Sequence, residues 1–64
     1  MPEVVVYALA GRTAQQKQRL MRAITDAVAE HFEVPAAGII VQIVEAAADS
    51  KSKGGVAYSE LHRT

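Results

Sequence analysis

Apolar residues fall in three blocks along the chain, and their spacing differs from block to block. Glu3–Leu9 reads EVVVYAL, a β-branched and aromatic run bounded by Pro2 and by Ala10-Gly11. This composition between turn residues predicts a strand. The run is apolar at odd and even positions alike, the pattern of a strand covered on both faces. From Leu20 to Phe32 the period changes. Leu20, Ile24, Ala27, Val28, His31 and Phe32 recur at steps of three and four, with Met21 beside them, which predicts one face of a helix. Thr13-Ala14-Gln15-Gln16 has the T-x-x-Q form of a capping box and marks the helix start. The helix extends to about Glu33, because Val34 precedes Pro35 and the residue before a proline disfavours helical backbone. Ile39–Glu45, IIVQIVE, predicts a second strand.

Strand, long helix and strand make a β-α-β unit with parallel strands and a right-handed crossover. The stretch Ala46–Lys53 is small and polar and reads as a loop, Gly54-Gly55 as a turn, and Val56–Leu61 as a short strand or hairpin arm. The predicted fold class is α+β: one β-α-β domain over residues 1–64 with a short C-terminal hairpin arm. Two strands and one helix leave a sheet edge and a helix flank uncovered, so the pattern itself points to self-association.

Composition strengthens that expectation. The chain has 64 residues and no Cys, so disulfides and thiolate metal sites are excluded as staples. Its apolar half is thin, with 12 Ala and only two Tyr and one Phe. Below about 70–80 residues one core rarely supplies more than ~3–5 kcal/mol, and oligomerisation is the remaining staple. Seven basic residues balance seven acidic ones, so the basic footprint of a nucleic-acid binder is missing. No apolar run approaches a membrane span, and the first residues lack a signal-peptide pattern. A cytoplasmic protein is expected, with no nucleic-acid or membrane partner.

One local rule is broken. The helix carries Lys17, Arg19 and Arg22 early and Asp26, Glu30 and Glu33 late, whereas the helix macrodipole favours the reverse order. These charges are either solvated along the helix or paired across an oligomer contact.

Ordinary catalytic sets are missing. His31 lies on the apolar stripe and reads as a core-edge residue near the helix end. His62 reads as an exposed tail residue, and Gly54-Gly55 has no phosphate-loop register. The unusual candidate is Pro2. With Met1 removed, the chain begins with a free secondary amine. An N-terminal amine titrates near ~7.7–8, an apolar pocket lowers that value, and such an amine can act as a general base near neutral pH.

The joint pattern of Met1-Pro2 before a β-branched strand, Gly11-Arg12-Thr13-x-x-Gln16-Lys17 at the helix start, and Gly54-Gly55 near the end resembles the 4-oxalocrotonate tautomerase family. Leu20, Thr25, Ala27, Pro35, Val41 and Glu45 continue the match over essentially the whole chain. The resemblance implies β-α-β protomers that pair into dimers and assemble as a homohexamer. It also implies keto–enol tautomerisation of a 2-hydroxydienoate or 2-oxo acid without metal or organic cofactor. Pro2 would be the general acid/base, and Arg12 would bind the carboxylate of a small-molecule substrate, a role its planar fork suits.

The chain departs from the family pattern at two positions. Ile40 stands where studied members carry a strand arginine supplied by a neighbouring protomer. Lys51 stands where they carry an aromatic wall residue. Either Lys51 or Lys53 supplies the missing cation, or the loop is merely polar here. Leu9 and Ile40 are expected to line the pocket. Three readings follow: a homo-oligomeric tautomerase; a related enzyme using Pro2 for hydration or iminium chemistry; and a non-catalytic or partner-dependent subunit of a hetero-oligomer.

Overall fold

The computed structural model describes residues 1–61, and His62 lies outside them. Strand β1 spans Glu3–Leu9, helix α1 Ala14–Phe32 and strand β2 Ile40–Ala46. Strands β1 and β2 pair in parallel, from Glu3 opposite Ile40 to Leu9 opposite Ala46. The chain then turns through Ala48–Ser50 into a small antiparallel hairpin, β3 (Ser52–Lys53) and β4 (Val56–Ala57), and ends in one helical turn, α2 (Tyr58–Leu61).

Helix α1 begins where the capping pattern places it. The Thr13 hydroxyl accepts from the Gln16 N–H at 3.0 Å, and the Gln16 side chain accepts from the Thr13 N–H at 2.9 Å. Glu33 ends the helix in the left-handed region, at φ 55°, with its N–H donating to the Ala29 carbonyl. A side chain there is strained, since this conformation favours glycine. Gly54 and Gly55 have φ 63° and 84°, the sign pattern of a two-residue hairpin turn of type I′.

The structure corrects several expectations. Strand β2 is shifted by one residue and includes Ala46. The segment read as a short strand or hairpin arm over Val56–Leu61 is one arm of a hairpin, with strand only at Val56–Ala57 and a helical turn after it. Its partner, Ser52–Lys53, lies within the stretch read as loop. The helix face against the sheet is rotated from the expected stripe: Lys17, Met21, Ile24, Thr25, Val28 and Ala29 are partly covered, whereas Leu20, Ala27, His31 and Phe32 are exposed. His31 is not a core-edge residue; its side chain is 75% exposed, with Nε2 3.6 Å from the Glu30 carboxylate. Among the late acidic residues, Asp26 pairs with Arg22 at 3.5 Å within the helix.

Helix α1 covers one face of the sheet, where Val4, Val6 and Ala8 stand beside Val41, Ile43 and Glu45. The other face is bare. It presents Val5, Tyr7, Ile40 and Val44, with Tyr7 74% exposed. None of the described residues is fully buried. The radius of gyration is 15.1 Å, against about 11 Å for a compact chain of this length. The hairpin arm and α2 pack chiefly on the Ala48–Ser50 turn. Among the described residues, no helix is long and apolar enough to cross a membrane.

Candidate functional site

The parallel register sorts the candidate residues to two ends of the sheet. Pro2, immediately before β1, is partly covered, and its carbonyl accepts the Ile40 N–H at 3.1 Å. That bond extends the ladder by one residue and fixes the backbone on which the proline ring sits. Met1 beyond it is 88% exposed. Ile40, 40% exposed, stands opposite Glu3 at the same end. The two residues singled out at the chain start and at the second strand are therefore neighbours.

Leu9 and Arg12 lie at the far end. Leu9 pairs with Ala46, and the Ala10 N–H donates to the Ala46 carbonyl at 2.9 Å. Gly11 then turns the chain at φ 130°, a value that side chains rarely adopt, and Thr13 caps the helix. Arg12 sits between this turn and the cap. It lines two open hollows. One, of about 230 Å³, is shared with Gln16, Lys17 and Leu20. The other is formed with Ala8, Leu9, Ala10 and Gly11. Leu9 and Arg12 thus share a concave surface that combines an apolar wall with a guanidinium.

Eight strand steps of ~3.3 Å separate Pro2 from Ala10, so within one protomer the proline and the arginine stand roughly 25 Å apart. No single substrate of small size reaches both. Lys51 follows the Ala48–Ser50 turn. Its carbonyl accepts the Tyr58 N–H at 2.8 Å, and its Nζ lies 5.9 Å from the centre of the Tyr58 ring. This places the Lys51 cation on the arm, away from Pro2 of the same protomer. Among the described residues, no three His, Cys, Asp or Glu side chains cluster as metal ligands would.

Two residues given no site role by sequence pair near the helix start, and one of them, Lys17, lines a hollow with Arg12. Lys17, in the first turn of α1, contacts the Glu45 carboxylate at 3.0 Å, with both side chains about a third exposed. The signals were present in the sequence: a cation at a helix start, and a carboxylate at a helix-facing position of a strand.

The model of the Tautomerase enzyme family matches residues 2–59. A probable tautomerase of Bradyrhizobium diazoefficiens is 42% identical over 60 residues, covering 94% of this chain and 90% of its own length. The 2-hydroxymuconate tautomerase of a Pseudomonas species is 32% identical over 63 residues, covering 98% of this chain and all of its own. Among solved structures, the heterohexameric 4-oxalocrotonate tautomerase from Chloroflexus aurantiacus superposes with a TM-score of 0.86 at 34% identity. That match covers 97% of this chain and 100% of the other.

Proposed function

We propose, from the premise that the chain belongs to the tautomerase family and is an isomerase, that it interconverts enol and keto forms of a 2-hydroxydienoate or 2-oxo acid through Pro2. The observation that carries this reading is the placement of Pro2: it is the residue before β1, with its carbonyl held by the Ile40 N–H. Once Met1 is removed, its nitrogen is a secondary amine on a fixed backbone at the rim of the sheet.

The chemistry is a proton shuttle. The amine takes the proton of the enol hydroxyl as the C2–O bond becomes a carbonyl. The double-bond electrons shift to carbon, and the protonated amine delivers a proton there. No electrons are gained or lost, so the step consumes no redox equivalent. While Met1 remains, the Pro2 nitrogen is an amide with no basic lone pair, and the shuttle is closed.

Arg12 binds the substrate carboxylate in this reading, with Leu9 and Ile40 as apolar lining. Because Pro2 and Arg12 flank opposite ends of β1, a working site takes its proline from one protomer and its arginine from another. The bare face around Tyr7 and Val44 supports such assembly, and a homohexamer is the form we infer. In this reading Lys51, on an arm that packs little against its own sheet, serves a neighbour's site as the cation that Ile40 lacks.

The 2-hydroxymuconate tautomerase of Pseudomonas offers the first substrate to try. The loss of ultraviolet absorbance of the 2-hydroxymuconate enol, measured beside a monocarboxylate enolpyruvate, tests the activity and the substrate class together. Catalysed ketonisation of either is expected; ketonisation of neither by protein shown to start at Pro2 overturns the reading. A second reading has one supporting observation: Ile40 brings no charge to the proline end of the sheet. A related subunit could supply that charge in a hetero-oligomer, the kind of assembly described for the Chloroflexus relative.

A further inference from the structure

Two residues that break the local rules of this fold meet each other. Lys17 is a cation in the first turn of α1, where the macrodipole favours anions. Glu45 is a carboxylate on the helix-facing side of β2, in line with Val41 and Ile43 and opposite Ala8. Their charged atoms are 3.0 Å apart, and their side chains are only 31% and 29% exposed. The pair joins two elements across 28 residues of sequence. By contrast, Arg22 and Asp26 face solvent at 69% and 61% exposure on one helix, the geometry of a surface pair worth little.

The location of the pair gives it a task. Glu45 and Ala46 are consecutive residues at the end of β2, and both hold the same segment of chain. Ala46 takes the Ala10 N–H at 2.9 Å, and Glu45 takes the Lys17 ammonium. Between these anchors lie the Gly11 turn, Arg12, and the Thr13 cap closed by Gln16. Arg12 therefore projects from a short bridge pinned at both ends to the tip of one strand, and Lys17 and Gln16 line the same hollow as Arg12.

We propose that the Lys17–Glu45 pair is a positioning device that holds the start of α1 against β2 and so fixes Arg12 for carboxylate binding. This rests on the reading of Arg12 given above. Displacing a positioned group by about 1 Å can cost on the order of 10² in rate, so the strut matters even though neither residue needs to touch substrate.

The test uses the purified oligomer and the enol of 2-hydroxymuconate, with kcat and KM measured separately. Lys17→Met and Glu45→Gln are each expected to raise KM roughly tenfold while kcat stays within about threefold. Oligomer size on gel filtration is expected to stay unchanged. The exchanged pair, Lys17→Glu with Glu45→Lys, is expected to recover KM, as is Lys17→Arg. In an Arg12→Ala background, Lys17→Met is expected to add no further rise, because its effect runs through the missing arginine. An additive effect in that background, an intact exchanged pair that fails to recover KM, or an unchanged KM in both single variants each overturns the positioning role. Should Lys17→Met fail to assemble, Glu45→Gln carries the same comparison. If Arg12→Ala alone leaves KM unchanged, the reading of Arg12 itself falls, an outcome separate from the others, and the strut loses its object with it.

Discussion

The Ile40 N–H donates to the Pro2 carbonyl at 3.1 Å, and the isoleucine side chain, 40% exposed, occupies the same end of the sheet as the proline. An aliphatic side chain has no hydrogen bond to offer a developing oxyanion. Supplying a donor is therefore expected to help. Ile40→Arg should raise kcat/KM for the dicarboxylate 2-hydroxymuconate by about 10²-fold, the scale of one preorganised donor. A monocarboxylate substrate should gain less. Steady-state kinetics on both substrates decide it, and no gain in a correctly assembled variant would mean that a cation already serves this position, with Lys51→Ala as the follow-up.

Activity should track the fraction of chains that begin at Pro2. Intact mass spectrometry measures that fraction, and aminopeptidase treatment of Met1-bearing material should raise mass-corrected activity in proportion. Pro2→Ala, which keeps a primary amine at the chain start, should lower kcat by about 10²–10⁴-fold, the usual contribution of a positioned general base. Borohydride trapping of a 2-oxo acid on Pro2 would instead reveal iminium chemistry. Full turnover by Met1-bearing protein would sink the assignment of Pro2.

Much of the protomer is legible in the sequence because its signals are local. The Thr13–Gln16 box places the start of α1 to the residue, and the β-branched run Glu3–Leu9 is the whole of β1. What escapes is what depends on partners. His31 and Phe32 carry the helical spacing of a core stripe yet lie exposed, because they are the last two residues of α1 and the two-stranded sheet covers only the helix residues before them, from Lys17 to Ala29. The β3 strand escapes because Ser52 and Lys53 have no strand propensity of their own; the Gly54-Gly55 turn folds them onto Val56 and Ala57. Pro2, Arg12, Leu9, Ile40 and Lys51 all carry chemical signals, but no spacing in one chain reveals that the strand register sends Pro2 and Arg12 to opposite ends. Lys17 and Glu45 stay hidden for the opposite reason: each looks like a solvated charge until the register puts Glu45 on the inward face.

The bare face of the sheet should be an assembly surface. Tyr7 and Val44 stand opposite each other there, with Val5 and Ile40 nearby. On a solvated surface, Tyr7→Asp would change stability by no more than about 0.5 kcal/mol. If protomers cover that face, the same change buries an unpaired carboxylate, and the assembly should dissociate at micromolar concentration. Analytical ultracentrifugation is expected to show a smaller species with lost activity. An unchanged sedimentation coefficient would show that this face is not the contact.

The strongest test of a shared site is complementation. Pro2 and Arg12 lie roughly 25 Å apart in a protomer, at the two ends of a seven-residue strand. If each site joins a proline from one protomer to an arginine from another, Pro2→Ala and Arg12→Ala chains carry complementary defects. At substrate concentrations well below the wild-type KM, each variant alone should turn over slowly, Pro2→Ala through its lost base and Arg12→Ala through weak binding. Co-refolded in equal amounts, random assembly gives about one site in four with both intact residues, so about a quarter of wild-type activity should return. A site built wholly within one protomer regains nothing on mixing, since every chain lacks one essential group. Mixing without co-refolding gives the control, because protomers must exchange before activity appears. Return of activity at the rate of subunit exchange, followed by native mass spectrometry, would tie catalysis to the contact between chains.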